Sequence, residues 1–178
     1  MGKPTEELKE EHEAIKLMLQ ILEAIIKKIE RREDVPEEHL EKVLDFIKVF
    51  ADKCHHGKEE DLLFPVMEQA GVPGEEGPIG AMLAEHDTGR SYVRRMGKAV
   101  SGKKHRKFAE NARAYTQLLE QHIEKENNIL YPMADARLSE HKQEELLKGF
   151  EKIEKERVGE GKHEEFHELL HRLKEVYL

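Results

Sequence analysis

Two stretches of the chain place an imidazole and a carboxylate four residues apart: His55 with Glu59, and His122 with Glu126. Both then close on an apolar-apolar-aromatic-proline ending, Leu62-Leu63-Phe64-Pro65 and Ile129-Leu130-Tyr131-Pro132. Residues four apart on a helix lie one above the other. Each stretch therefore aims both groups in one direction, along a stripe that is otherwise apolar. Buried ionisable groups are costly unless paired or bound to a metal. Aligning Pro65 with Pro132 also aligns Glu59 with Glu126 and His55 with His122. That alignment selects His55 over His56, and Glu59 over Glu60, as the inward residues. A Glu-His pair precedes each motif, Glu11-His12 in the first half and Glu85-His86 in the second. Two such halves related by a pseudo-two-fold gather His12, His55, His86, His122, Glu59 and Glu126 at one centre. Imidazole with carboxylate suits iron, manganese or zinc and needs no thiolate. Two bridging carboxylates can hold a metal pair roughly 3.5–4 Å apart. Symmetry then places one ion near His12 and His55 and the other near His86 and His122, bridged by Glu59 and Glu126. Both ions keep open positions for water or an exogenous ligand.

The elements that must position these groups are helices. Hydrophobic and charged residues each make up 38% of the chain, and Trp is absent. Such a charged share is far above the usual ~25% and suits amphipathic helices; strict alternation is missing. The first helix is expected to start at Thr5 as its cap and carries Leu8, His12, Ile15, Leu19, Leu22 and Ile26. The second begins after Asp34-Val35-Pro36 and runs to about Glu68, with Pro65 expected to kink or end it. The third covers roughly Pro78 to Val100, and the fourth runs from about Lys104 to Ala134. A fifth starts at a Ser139 cap and a sixth fills Lys162 to Tyr177. The expected fold is all-α: an up-down-up-down four-helix bundle with two additional C-terminal helices. In domain terms, 1–178 is a single domain, 5–135 the metal-binding bundle and 139–178 a helical extension.

On four successive helices the order His, His-x-x-x-Glu, His, His-x-x-x-Glu resembles the hemerythrin-like, or HHE cation-binding, family. The surrounding Cys54-His55-His56, Lys58-Glu59-Glu60, Leu63-Phe64-Pro65 and Leu130-Tyr131-Pro132 add to the likeness. It covers about residues 5 to 135. The resemblance implies a non-haem di-iron centre that meets O2 or a related small ligand. It also implies that His12, His55, Glu59, His86, His122 and Glu126 are the metal ligands. Two departures matter. Oxygen carriers of the family place a second His four residues after the third-helix His, where this chain has Arg90, a group that cannot ligate. They also use an Asp five residues after the fourth-helix His, where this chain has Glu126 at four. Both departures point away from reversible oxygen carriage. Arg90 is expected to sit just outside the ligands, paired with Glu59 or Glu126 or donating to a ligand at the metal.

The leading expectation is a protein with two non-haem iron ions (Mn or Zn being alternatives) that binds or senses O2, NO or peroxide. The alternatives are an enzyme acting on NO or peroxide or in iron–sulfur cluster repair, a metal-handling protein, and a structural bundle with polar residues setting register. A ferritin-type site fits less well, since its signature is Glu-x-x-His with lone glutamates. The net charge of −8, with mixed signs, argues against nucleic-acid or membrane-surface partners. The polar N-terminus and the lone Cys54 lead us to expect a reducing cytoplasm. Elsewhere the plainer reading holds. His56 and Glu60 face solvent or a neighbouring helix, Cys54 is a small semi-buried hydrophobe, and Tyr115 is core packing. Glu11 and Glu85 are either acceptors for imidazole N–H groups or solvated acids. His163, His167 and His171 line a solvated or packing face.

Overall fold

The structure is a computed structural model and describes residues 3–178. Among the described residues there are helices and no strand. Helix α1 spans Pro4–Glu30. Helix α2 (Glu37–Phe46) leads without a break into two π-helical segments, Ile47–His56 and Glu59–Leu63, and then into α3 (Phe64–Gln69). Helix α4 is Pro78–Ser101. Helix α5 (His105–Lys125) passes through a π-helical segment, Glu126–Leu130, into α6 (Tyr131–Arg137). Helix α7 (Glu140–Ile153) continues through a π-helical segment, Glu154–Val158, and α8 is Lys162–Tyr177.

Two local outcomes differ from expectation. The first helix starts at Pro4, not Thr5, because proline's fixed φ and missing N–H suit the first helical position. The Lys3 N–H is satisfied by Glu6 Oε2 at 3.2 Å, and Thr5 donates instead to Asp135 Oδ1 at 2.6 Å. The helical run passes through Pro65 and its counterpart Pro132 and ends about a turn later, at Gln69 and Arg137. A proline inside a helix lacks its N–H and crowds the carbonyl four residues back. Here the turn before each proline is widened by one residue, with Phe64 N–H bonded to the Glu59 carbonyl and Tyr131 N–H to the Glu126 carbonyl. Such π-type turns re-aim the side chains around them.

Buried apolar side chains form two clusters. The larger holds Ile15 to Ile26 of α1, Leu40 to Ala51, Val93 to Val100 and Phe108 to Ile123. The smaller holds Leu8, Leu63, Phe64, Met67, Ile79, Met82, Leu130, Tyr131 and Ala134. Each of the four long helical stretches thus passes from one cluster to the other. Each carries its candidate donors at the crossing: His12 after Leu8, His55 and Glu59 between Ala51 and Leu63, His86 between Met82 and Val93, and His122 and Glu126 between Leu119 and Leu130. The polar groups form a layer between two dry cores. The C-terminal helices reach both: Leu146 and Phe150 of α7 join the smaller cluster, and Phe166, Leu169, Leu170 and Leu173 of α8 the larger.

Candidate metal centre

All six residues singled out by spacing are buried, none more than 2% exposed, and they converge. His12 Nε2 lies 3.1 Å from Glu126 Oε1, which is 3.2 Å from His122 Nε2. His86 Nε2 lies 3.4 Å from Glu59 Oε1, which is 3.7 Å from His55 Nε2. Each carboxylate therefore faces one imidazole from each half of the chain, the arrangement a bridging group needs. The donors also fall into two groups, each with its ligand atoms within 4.8 Å of one another: His12, His55 and Glu126 in one, and His56, Glu59, His86 and His122 in the other.

A second layer fixes the rings. His55 Nδ1 meets Glu11 Oε1 at 2.9 Å, His86 Nδ1 meets Glu60 Oε2 at 2.6 Å, and His122 Nδ1 meets Glu85 Oε1 at 3.0 Å. His12 Nδ1 meets Asn127 Oδ1 at 2.7 Å. These oxygens accept, so each Nδ1 donates and each Nε2 is turned inward, where those of His12 and His122 meet Glu126. Metal-binding histidines are oriented in this way. Glu11 and Glu85 are thus imidazole acceptors, the first of the two readings their positions allowed.

Glu60 and His56 face a neighbouring helix, the second of the two alternatives. Glu60 accepts from His86 and from the Arg90 guanidinium of α4, both at 2.6 Å. His56 is 5% exposed, lies parallel to the His86 ring at 3.8 Å and bonds Asp52 Oδ1 through Nδ1 at 3.2 Å. Arg90 meets neither Glu59 nor Glu126; its bonds go to Asp52, Glu60 and Asp87. It therefore grips the two acids that orient His56 and His86. Cys54 is fully buried, and burial pushes its thiol up to about 12. His163 turns inward, 3.6 Å from Cys54 Sγ, while His171 stays in solvent.

Two buried polar residues beside the centre escaped the sequence reading. Tyr131 is fully buried and donates to Glu59 Oε2 at 2.9 Å, with its oxygen 3.3 Å from His12 Nε2. Its place five residues after Glu126 would point elsewhere on an ordinary helix; the widened turn carries it inward. Its counterpart, Phe64, has no hydroxyl. Lys58 is also fully buried, with Nζ 2.6 Å from both Glu11 Oε2 and Glu154 Oε1. Burial alone would discharge it, but the fields of these acids outweigh that and push its pKa up. A third group of donors, Glu11, Cys54, Glu154 and His163, surrounds this ammonium, which already supplies the positive charge there.

Charge in the centre is poised for a cation. Burial opposes the Glu126 carboxylate, yet the field and hydrogen bond of His122, with that of His12, hold it well below the usual range. Burial likewise opposes a charged His86, but hydrogen bonds to Glu59 and Glu60, with the fields of Glu59 and Glu126, push it up to about 10. A proton on His86 and a metal ion are competing ways to meet the same negative charge. Burial drives His55 well below its ordinary value, and with the nearby His86 drives His56 down to about 3. Four buried donor atoms make no hydrogen bond: His55 Nε2, His56 Nε2, Glu59 Oε1 and Glu126 Oε2. Native structures rarely leave such atoms orphaned without a reason. Imidazole and carboxylate orphans facing one another fit a metal pair. A cavity of about 200 Å3 reaches His56, His86 and His122 past Val93, Tyr115 and Leu119.

A family model, the hemerythrin HHE cation binding domain, matches residues 3–134. Uncharacterized proteins of Mycobacterium bovis and Mycobacterium tuberculosis are 25% identical over 162 residues, covering 88% of this chain and 63% of theirs. The chain thus spans under two thirds of the length of these curated relatives. No solved structure matches it significantly.

Proposed function

The chain belongs to the hemerythrin HHE cation-binding family, and from that premise we propose that it carries two non-haem iron ions and uses them to bind or sense O2, NO or peroxide. The observation that carries this reading is the set of orphaned Nε2 and carboxylate oxygens sealed between two apolar clusters. His12 and His55 would hold one ion and His86 and His122 the other, with Glu59 and Glu126 offering a carboxylate to each. Bound iron supplies open coordination positions and an accessible one-electron couple for a small ligand. The chain does the rest. Glu11, Asn127, Glu60 and Glu85 fix the imidazole tautomers. Tyr131 holds a proton at Oη beside Glu59 and His12. The apolar walls exclude bulk water, while the cavity beside His86 and His122 gives a small ligand its way in.

The fold that goes with this reading is an up-down-up-down four-helix bundle. It is supported by the order in which the four stretches visit the clusters: small to large, large to small, small to large, large to small. The described helices include none long and apolar enough to cross a membrane. The reading places the protein in a reducing cytoplasm, where Cys54 stays a thiol.

The test is to load metal-free protein with Fe(II) in the absence of oxygen, count iron per chain, and then admit O2 while following the visible spectrum. Two irons and a reversible charge-transfer band support binding or sensing. Rapid catalytic loss of added peroxide or NO would move the function to an enzyme, and prompt release of iron to metal handling. Fewer than one transition metal per chain would end the metal reading altogether.

A further inference from the structure

We infer that the cavity beside His86 and His122 is a second ligand site, shaped and charged for a small aromatic monocarboxylic acid. The ring of the acid lies against the apolar wall, and its carboxylate faces Lys48 and Arg94 at the mouth. This goes beyond the O2, NO or peroxide proposed above, and the site does not depend on which metal the centre holds. Three observations carry it.

First, the cavity is larger than those small ligands need. They are hardly bigger than water, whereas the cavity holds about 200 Å3. An apolar cavity of about 150 Å3 takes up benzene. The walls suit a ring: Ile47, Val93 and Leu119 are buried and apolar, and Tyr115 adds an aromatic ring for edge or stacking contact.

Second, Gly89 keeps the space open. It is buried in the middle of α4, where glycine is destabilising relative to alanine. No close approach requires it: an added Cβ would stand 3.6 Å from Tyr115 Cε1 and 3.7 Å from Leu119 Cδ2, ordinary contact distances. A side chain at this position would take cavity space, because Gly89, Tyr115 and Leu119 all line it.

Third, the charge left over at the cavity is positive. The stripes Lys48, Asp52, His56 and His86, Arg90, Arg94 each run between the buried centre and the surface. The charged groups farther in are paired: Arg90 with Asp52, and Glu85 with His122 and Lys125. Lys48 and Arg94 line the mouth, are exposed, and make no ion pair among the described residues. They come from facing helical stretches: Lys48 Nζ reaches across to α4, 3.7 Å from where a Cβ on Gly97 would stand, and Gly97 is one turn beyond Arg94. Two such cations, in a chain of net charge −8, complement an anionic head group on an apolar body.

The test titrates phenylacetate into the full chain loaded with Zn(II), followed by calorimetry and proton NMR. One acid per chain is expected, with a dissociation constant below roughly 1 mM and nuclear Overhauser contacts from its ring protons to the Val93 and Leu119 methyls. Phenylacetamide has the same shape without the charge and should bind roughly fivefold more weakly. Reversing the mouth, Lys48→Glu with Arg94→Glu, should weaken phenylacetate roughly tenfold or more and leave phenylacetamide unchanged. Gly89→Leu fills the cavity and should abolish binding of both. Gly89→Ala, which favours the helix, should melt no lower than the unaltered protein and still bind phenylacetate more weakly. Equal affinities for acid and amide would overturn the acid site and leave an apolar passage. Full-strength binding in Gly89→Leu, ring contacts only outside the cavity, or no binding at millimolar phenylacetate would overturn it as well. A chain that takes up no Zn(II) is titrated metal-free, so that failure of the metal reading and failure of the acid site are seen separately.

Discussion

At the scale of single residues, the centre depends on groups that never touch a metal. Arg90 is the clearest case, because one guanidinium serves two acids through separate nitrogens: Nε to Asp52 and Nη2 to Glu60. Burial works against the Asp52 charge, yet the His56 and Arg90 hydrogen bonds hold its carboxyl well below the usual range. Arg90→Ala frees both anchors, so His86 and His56 lose orientation together. Metal retention against a chelator should fall by roughly 10–100-fold, the usual effect of losing an outer partner. Arg90→Lys should not restore it, since an ammonium lacks the planar fork. Unchanged retention in Arg90→Ala would show that the rings are held by packing alone. The contrast with the sequence reading is instructive. His55, Glu59, His122 and Glu126 were legible because the same spacing occurs twice. Arg90's partners were not, because Glu60 reads as an outward position on an ideal helix and no repeat marks Asp52.

At the scale of elements, the widened turns explain most of what periodicity could not show. An ordinary 3.6-residue count places His56 and Tyr131 off the inward stripe. Wider turns, over Ile47–His56 and just before Pro65 and Pro132, change which side chains share a face. The C-terminal stretch was equally hidden, since no pattern in α7 or α8 names the surface they cover. In the structure the π-helical segment Glu154–Val158 lies over the outer side of the motif, where Cys54 through Glu59 are buried at every position. An added Cβ at Gly57 would come within 2.7 Å of the Arg157 guanidinium, the end of a flexible side chain that would have to shift. Lys58 ties this cover to the centre through Glu154, Glu11 and then His55. Lys58→Met removes the cation and strands Glu11, which is 7% exposed. Loss of one partner from a buried ion pair costs ~3–5 kcal/mol, and denaturant unfolding should show a loss of that order. The double variant Lys58→Met with Glu11→Gln should recover part of it, because the uncompensated charge is gone. No recovery would mean that the lysine's alkyl packing, not its charge, matters.

At the scale of the whole molecule, a layer of buried acids and imidazoles between two apolar clusters divides what would otherwise be one core. Without a cation, the buried carboxylates are balanced only by protons on rings such as His86, whose burial opposes that charge. A metal ion bound to the folded chain and not to the unfolded one shifts the folding equilibrium by mass action, about 2.7 kcal/mol at a hundred times its dissociation constant. For a chain of this size each kcal/mol moves the midpoint by roughly 2–4 °C. Free Fe(II), Mn(II) or Zn(II) at that excess should therefore raise the thermal midpoint by about 5–11 °C for each ion bound, measured by circular dichroism without oxygen. Mg(II) should do far less, since it prefers oxygen ligands and sheds water reluctantly. Because α7 and α8 contribute to both clusters, the transition should stay single, with the C-terminal helices melting together with the centre. Two separated transitions, only the earlier one insensitive to metal, would instead make 139–178 an independent appendage and detach it from the Lys58 network.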